Sequence, residues 1–195
     1  MSESKDWGLG AWLWRRPRRW YLLGVPIGGV IALVVGVVFT GGFFGGLKLT
    51  DSNRFCTSCH EMDAPFQEYS HSLHYSNALG VRATCGNCHI PPTFLAGIVK
   101  HIQASSQAWG HLTGELGTPA RYEAHRAQLA QGVWAELKKN DSAECRSCHD
   151  VAAMALANQN SFAAERHTPA YMKLHGMTCI DCHKGVAHAL PGASL

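Results

Sequence analysis

The longest uninterrupted apolar stretch lies near the start of the chain. Residues 20–47, WYLLGVPIGGVIALVVGVVFTGGFFGGL, carry no charged side chain. As a helix rising 1.5 Å per residue the stretch reaches about 42 Å, enough to cross a bilayer with some tilt. Pro26 and the glycines of FTGGFFGG are compatible with a membrane helix. Beyond it the pattern breaks into short mixed segments. TFLAGIVKHIQASSQAWGHLTG, 93–114, follows Pro91-Pro92 and closes on Gly114, which predicts one helix. A second is predicted from Thr118 as N-cap and Pro119 at the first position to about Lys139, with Lys138 and Lys139 where cations are favoured. A third is expected over 151–165, ending before HTPAY. No stretch alternates with the period of two that marks a half-buried strand. The expected fold class is mainly α, with one N-terminal transmembrane helix, a small domain of short helices and loops, and little or no sheet.

Charge orients the apolar stretch. Just before it stands WRRPRRW, with Arg15, Arg16, Arg18 and Arg19. Basic residues stay on the cytoplasmic side, so residues 1–19 read as a cytoplasmic arm, 20–47 as a signal anchor and 48–195 as an exported domain. A cleaved signal peptide shares the basic-then-apolar order, but this stretch is longer and no A-x-A-like site follows. Residues 1–20 hold five basic and two acidic side chains, which accounts for the net charge of +3. The remainder is balanced, and nothing points to nucleic acid. The expected location is a bacterial cytoplasmic membrane, single-pass, with the exported domain in the periplasm.

The chemistry sits in the cysteines. There are eight, and four C-x-x-C-H motifs consume them all: Cys56/Cys59/His60, Cys85/Cys88/His89, Cys145/Cys148/His149 and Cys179/Cys182/His183. C-x-x-C-H is the attachment signature of c-type haem: two thiols form thioethers to the porphyrin, and the adjacent histidine reaches the iron. An all-thiolate zinc site does not require a histidine after every second cysteine. Disulfide scaffolds rarely repeat one spacing and nothing else. Four covalent haems c are therefore expected. About 145 residues then serve four haems, roughly 36 each, too few for ordinary layered packing. The porphyrins are expected to be the core. The motifs fall into two pairs, 56/85 and 145/179, whose flanks show no clear internal repeat.

Twelve histidines are present, and eight lie outside the motifs: His71, His74, His101, His111, His125, His167, His175 and His188. A second imidazole makes a six-coordinate iron suited to electron transfer. His183 and His188 are too close in sequence to bracket one iron easily, so His188 is expected to reach a neighbouring haem.

FCTSCHEM, SLHYSN, CGNCHIP, NDSAECRSCHD and CIDCHKGVAH resemble the successive landmarks of the NapC/NirT family of membrane-anchored tetrahaem cytochromes that oxidise quinol. The resemblance runs from the anchor to His188. It implies distal ligands at His74, His167 and His188, serving haems 3, 4 and 2 respectively, with His175 the other histidine ahead of the fourth motif. It also implies that Met62, two places after His60, ligates haem 1 in place of the motif histidine; a thioether is a weaker donor than imidazole and raises the iron's potential. Without the resemblance, Met62 reads equally as apolar filler.

Relatives of this kind place a lysine and an acidic residue two helical turns apart in the quinol pocket. Lys100 fits the lysine, but seven residues later stands Gln107, which can orient a quinol hydroxyl but cannot accept its proton. His101, Glu61, Asp63 or a haem propionate is then the expected acceptor. The implied function is oxidation of membrane quinol and delivery of electrons to a periplasmic reductase or soluble redox protein in anaerobic respiration. Quinone reduction from a periplasmic donor, and a tethered relay with no quinone site, are the alternatives. No fifth motif follows, so the acceptor is expected to be a separate protein. A homo-oligomer is compatible with the sequence.

Overall fold

The computed structural model describes residues 21–22, 25–114 and 116–193, apart from the side chains of Tyr21, Leu22, Val25, Gln107 and Ala108. The basic arm expected at 1–19 lies outside the described residues. Packing divides the chain into two units that meet in sequence at Leu49 and Thr50.

The first unit is dominated by one helix, shifted from the expected span. Tyr21–Leu22 (β1) and Val25–Pro26 (β2) form a two-residue antiparallel pair in the register Tyr21↔Pro26 and Leu22↔Val25. The helix, α1, begins only at Ile27 and runs to Thr50. Proline drives the residue before it into extended conformation, so Val25 cannot be helical and the helix starts after Pro26. α1 is long and apolar enough to cross a membrane, and none of its most apolar window is buried within the protein.

The second unit is built from short helices at the cysteine motifs and two long ones between them. α2 (Asn53–Cys56) opens the first motif, a 3-10 turn covers His60–Met62, and α3 (Asp63–Ser70) follows. α4 (Cys85–His89) is the second motif. α5 (Phe94–Thr113) and α6 (Pro119–Lys139) are the long helices, with the bounds the pattern predicted. Gly114 takes a left-handed φ of 68° to end α5, and the Thr118 hydroxyl caps α6 by accepting from Arg121 N. α7 (Ala143–Arg146) opens the third motif and α10 (Cys179–Cys182) is the fourth, with α8 (Ser161–Arg166) and α9 (Pro169–His175) between.

The third helix expected over 151–165 is not continuous. Two 3-10 turns, Val151–Ala153 and Leu156–Asn158, precede α8. Asp150 and Asn160 turn their side chains onto Ala152 N and Ala163 N. Short polar side chains that bond their own backbone offer an alternative to helix, and here they break it.

A repeat that the flanking sequences do not reveal appears in the packing. The second and fourth motif helices both begin with a threonine cap: Thr84 exchanges hydrogen bonds with Asn87, and Thr178 with Asp181. The residue three before the first cysteine of the preceding motif reaches each of these helix starts. Asn53 Oδ1 accepts from Cys85 N at 2.8 Å. Ser142 Oγ accepts from Thr178 Oγ1 at 2.8 Å and from Ile180 N at 3.3 Å. The first pair is also packed so closely that a Cβ on Gly86 would meet Asp51 O at 2.9 Å.

Among the described residues the buried side chains are mainly polar. Tyr69 and Ile180 are the buried apolar ones, against Glu68, Arg126, Ser142, Glu144 and Thr178. Leu73, Leu79 and Leu174 stand exposed. Ser142 is fully buried, and both Asp141 and Ser142 have positive φ, 58° and 50°. Such a backbone costs about 1–2 kcal/mol per residue and persists only where the surroundings hold it. Ser142 N donates to Leu137 O at 2.7 Å and Arg146 Nε to Asp141 O at 2.8 Å, and the Ser142 hydroxyl joins the third motif to the fourth. Ser142→Ala is expected to lower stability by about 1–3 kcal/mol through the loss of these buried bonds. Thermal unfolding followed by far-ultraviolet circular dichroism checks this, and an unchanged midpoint would remove Ser142 from that role.

Candidate functional site

Each cysteine motif ends in a histidine, and each of the four motif histidines faces a second imidazole. His60 faces His111 with ring centroids 5.8 Å apart, and His89 faces His188 at 6.2 Å. His149 faces His74 at 6.2 Å, and His183 faces His167 at 5.8 Å. Metal–imidazole bonds of about 2 Å, with the ring radius added, put two imidazoles on one metal about 6 Å apart between centroids. The four gaps match that span. The interplanar angles differ widely, from 13° for His167–His183 to 75° for His74–His149.

The second imidazoles come from different elements. His74 lies in the loop after α3, His111 in the last turn of α5, His167 at the end of α8 and His188 in the final loop. Each has a different neighbour at Nδ1. His111 Nδ1 donates to Glu61 Oε1 at 2.8 Å, and His167 Nδ1 to Gln159 Oε1 at 2.6 Å. His74 Nδ1 reaches Val186 O at 3.4 Å. His188 Nδ1 is buried without a hydrogen bond, 3.7 Å from Glu68 Oε2. Desolvation lowers the pKa of His188, whose Nδ1 is buried, and of His89, although His89 as a residue is exposed.

Glu68 belongs to a buried ionic cluster. Arg126 on α6 donates to Glu68 Oε1 at 2.6 Å and to Glu123 at 2.6 and 2.7 Å. Ala189 N donates to Glu68 Oε2 at 3.0 Å, and Arg126 reaches Ala189 O at 3.4 Å. One carboxylate and one guanidinium thus tie α3, α6 and the backbone after His188 together. Glu123 and Glu68 raise the Arg126 pKa above its ordinary high value.

These features fit covalent haem. All eight cysteines are free thiols. Cys56 and Cys85 shift each other's pKa, as do Cys145 and Cys179, so the first cysteines of motifs one and two adjoin, as do those of motifs three and four. In each couple the interaction between the thiols lowers the pKa of the later one and raises that of the earlier one. A cavity of about 600 Å³ opens beside His149, lined by Lys138, Arg146, Lys173 and Met172 among others. Asp141 and Asp150 line it too, and Lys138 and Arg146 already pair with Asp181 and Asp141.

The remaining histidines are otherwise engaged. His71 and His125 bond carbonyls four residues back in their own helices, Gln67 O and Arg121 O. His175 packs on Tyr171 at 4.1 Å, which leaves His167 as the histidine facing the fourth motif. His101 Nδ1 bonds Gly97 O at 2.8 Å, and its Nε2 lies 2.9 Å from Asp51 Oδ1. Met62 lies in the 3-10 turn after the first motif, and the first motif histidine itself faces His111. The facing of His60 and His111 could not be read from the sequence, because nothing separates His111 from seven other surplus histidines until α5 is packed.

Lys100 also gains a partner that sequence did not suggest. Its Nζ pairs with Glu136 Oε2 at 2.5 Å, so a carboxylate comes from α6, not from two turns along α5. Gln107 sits in α5, and its side chain lies outside the described residues.

A family model for the NapC/NirT cytochrome c family, N-terminal region, matches residues 19–193. The chain is 45% identical over 179 residues to the cytochrome c-type protein NapC of Escherichia coli K12, covering 91% of this chain and 87% of that protein. It is 44% identical over 198 residues to NapC of Haemophilus influenzae, with coverage of 100% and 95%. The denitrification system component NirT of Stutzerimonas stutzeri is 42% identical over 180 residues, with coverage of 92% and 88%. No solved structure gives a significant match.

The ionic cluster generates one prediction. Arg126→Met leaves Glu68 buried without a counter-charge and is expected to cost about 3–5 kcal/mol. Glu123→Gln removes a solvent-exposed partner, where water screens the lost charge, and is expected to leave the unfolding midpoint nearly unchanged. Denaturant unfolding of the two variants beside the parent protein checks the contrast; equal losses would sink it.

Proposed function

The chain belongs to the NapC/NirT cytochrome c family, and on that footing we propose that it is a membrane-anchored tetrahaem quinol dehydrogenase. The four opposed imidazole pairs, each on its own C-x-x-C-H motif, are the observation that carries the reading. Cys56, Cys59, Cys85, Cys88, Cys145, Cys148, Cys179 and Cys182 would hold the porphyrins. His60, His89, His149 and His183 would bind the irons from one side, and His111, His188, His74 and His167 from the other. Bound haem supplies one-electron storage, and everything else asked of the chain is spacing, coordination and access.

In this reading His111 takes the role that the family resemblance gives to Met62. An imidazole 5.8 Å from the motif ring supports the assignment, and Met62 is left to pack. Quinol gives up two protons as well as two electrons, so its pocket requires a hydrogen-bond donor and a proton acceptor. Lys100 supplies the donor, with Glu136 beside it as the carboxylate that Gln107 cannot be. α1 tethers the haem-binding unit to the membrane that dissolves the quinol. Arg15, Arg16, Arg18 and Arg19 keep the N-terminus cytoplasmic, which leaves the haems periplasmic and facing a soluble reductase or redox protein.

Detergent-solubilised holoprotein is expected to be reduced by a menaquinol or ubiquinol analogue, seen as growth of the reduced α-band. Lys100→Ala is expected to slow that reduction at least tenfold while haem content stays at four per chain. Failure of every quinol analogue to reduce intact protein would overturn the proposal, and an unchanged rate in Lys100→Ala would reduce the protein to a tethered relay. Coordination is tested separately by electron paramagnetic resonance. His111→Ala is expected to convert one of four low-spin haems to high spin, and Met62→Leu to change none. The reverse result would return the ligand role to Met62.

A further inference from the structure

α5 turns an apolar stripe outward. Leu95, Ile102, Trp109 and Leu112 are two-thirds exposed or more, and Val99 is half exposed. Along the helix they follow one another by four, three, seven and three residues, so they share one face. Ser105 and Ser106 interrupt that face, no charged side chain does, and α5 holds no aspartate or glutamate at all. The solvent side of a surface helix is ordinarily charged. An exposed apolar stretch of this kind marks a contact with protein or lipid.

The stripe is turned away from the cysteine motifs. Lys100, His101 and His111 occupy the other side of α5, and each is engaged there: Lys100 with Glu136 on α6, His101 with Asp51, and His111 with Glu61. His111 is the α5 residue that faces a motif histidine, so a porphyrin on the first motif lies on its side and leaves the stripe uncovered.

What lies against the stripe follows from where α5 is fastened. α1 ends at Thr50, and only Asp51 and Ser52 separate it from α2. Neither is loose. A Cβ on Gly86 of α4 would meet Asp51 O at 2.9 Å, and the Ser52 hydroxyl accepts from Phe55 N at 3.2 Å. His101 Nε2, midway along α5, lies 2.9 Å from Asp51 Oδ1. With 3.8 Å between successive Cα atoms and one short side chain to span, the His101 ring is fastened within about 10 Å of the last residue of α1. Where α1 crosses a bilayer, Lys48 in its last turn marks the outer end, and the lipid surface is the neighbour that α5 always has.

We propose that the α5 stripe rests on the periplasmic leaflet of the membrane, its apolar side chains sunk into the boundary between headgroups and acyl chains. Helices with leucine and tryptophan on one face and cations on the other lie in that plane, and tryptophan favours the headgroup level that Trp109 would take. The haem-binding unit then meets the bilayer through a second contact besides α1, which fixes its orientation over the lipid. Lys100 is carried on the same helix, so the proposed quinol pocket is kept beside the phase that supplies its substrate.

The inference rests on α1 spanning the membrane, and the experiment separates the two. Flotation of the full-chain holoprotein with vesicles after a carbonate wash establishes the anchor, and the protein is then reconstituted at one copy per lipid nanodisc. Its eight native cysteines carry haem, so an introduced thiol is the one that takes a maleimide. A benzophenone maleimide on Ile102→Cys is expected to form a lipid adduct on illumination, read by peptide mass. The expected yield is at least about tenfold above that of the same probe on Gln128→Cys, an exposed position of α6. Leu95→Cys takes its place if Ile102→Cys fails to retain four haems. Equal yields at the stripe and the control overturn the inference while the anchor stands. Chain-to-chain adducts in discs holding two copies, with no lipid adduct in one-copy discs, give the stripe to a second copy and overturn it as well. Release of the chain from vesicles by carbonate overturns the anchor, and the inference with it.

Discussion

Two imidazoles separated by the width of one metal ion, repeated four times, are the constraint on which this protein is organised. Each pair joins a histidine fixed beside its cysteines to one from elsewhere in the chain: His60 to α5, His89 to the final loop, His149 to the loop after α3, and His183 to the end of α8. The pairs between His74 and His149 and between His89 and His188 link distant parts of the second unit. Among the described residues few apolar side chains are buried, so the crossings stand where other folds place a core of leucine and valine. Long helices serve the crossings: α5 delivers Lys100 and His111 from one continuous element, and α6 presents Arg126 and Glu136.

Polar bonds do the positioning that apolar packing does elsewhere. Arg126 and Glu68 form a buried pair that would be a liability without full satisfaction of its donors and acceptors. Here the surplus capacity goes to Ala189, on both its N–H and its C=O, and so to the backbone beside His188. Ser142 does the same between motifs three and four, and Asn53 between motifs one and two. The two couplings occupy equivalent places in the two halves, though asparagine and serine share little as letters. That is why the repeat is visible in hydrogen bonds and invisible in an inspection of the flanks.

The neighbours at Nδ1 of the four distal histidines differ in kind: a carboxylate that sits between the two rings at His111, and elsewhere an amide, a carbonyl and none. Identical attachment motifs can therefore hold chemically distinct centres. The motif secures the cofactor, and the loop or helix behind the distal histidine sets its character. Lys100 with Glu136 follows the same logic at the proposed quinol pocket, where a proton acceptor absent from one helix is furnished by the next.

Sequence alone determined whatever depends on local spacing. The four C-x-x-C-H motifs, the 93–114 and 119–139 helices with their caps, and the apolar run near the N-terminus are local patterns, readable because few residues fix each one. Pro26 was readable too, but its effect on the start of α1 was outweighed by the length of the apolar run. The break in the helix over 151–165 depended on whether Asp150 and Asn160 would bond their own backbone, a competition that composition does not decide. Tertiary structure decided the partners. His111 and His101 sit on one helix, yet one faces His60 and the other Asp51, because α5 is fixed in rotation by everything packed against it. Glu136 meets Lys100 and Glu61 meets His111 for the same reason: contacts between distant residues arise only when the elements carrying them have been brought into register.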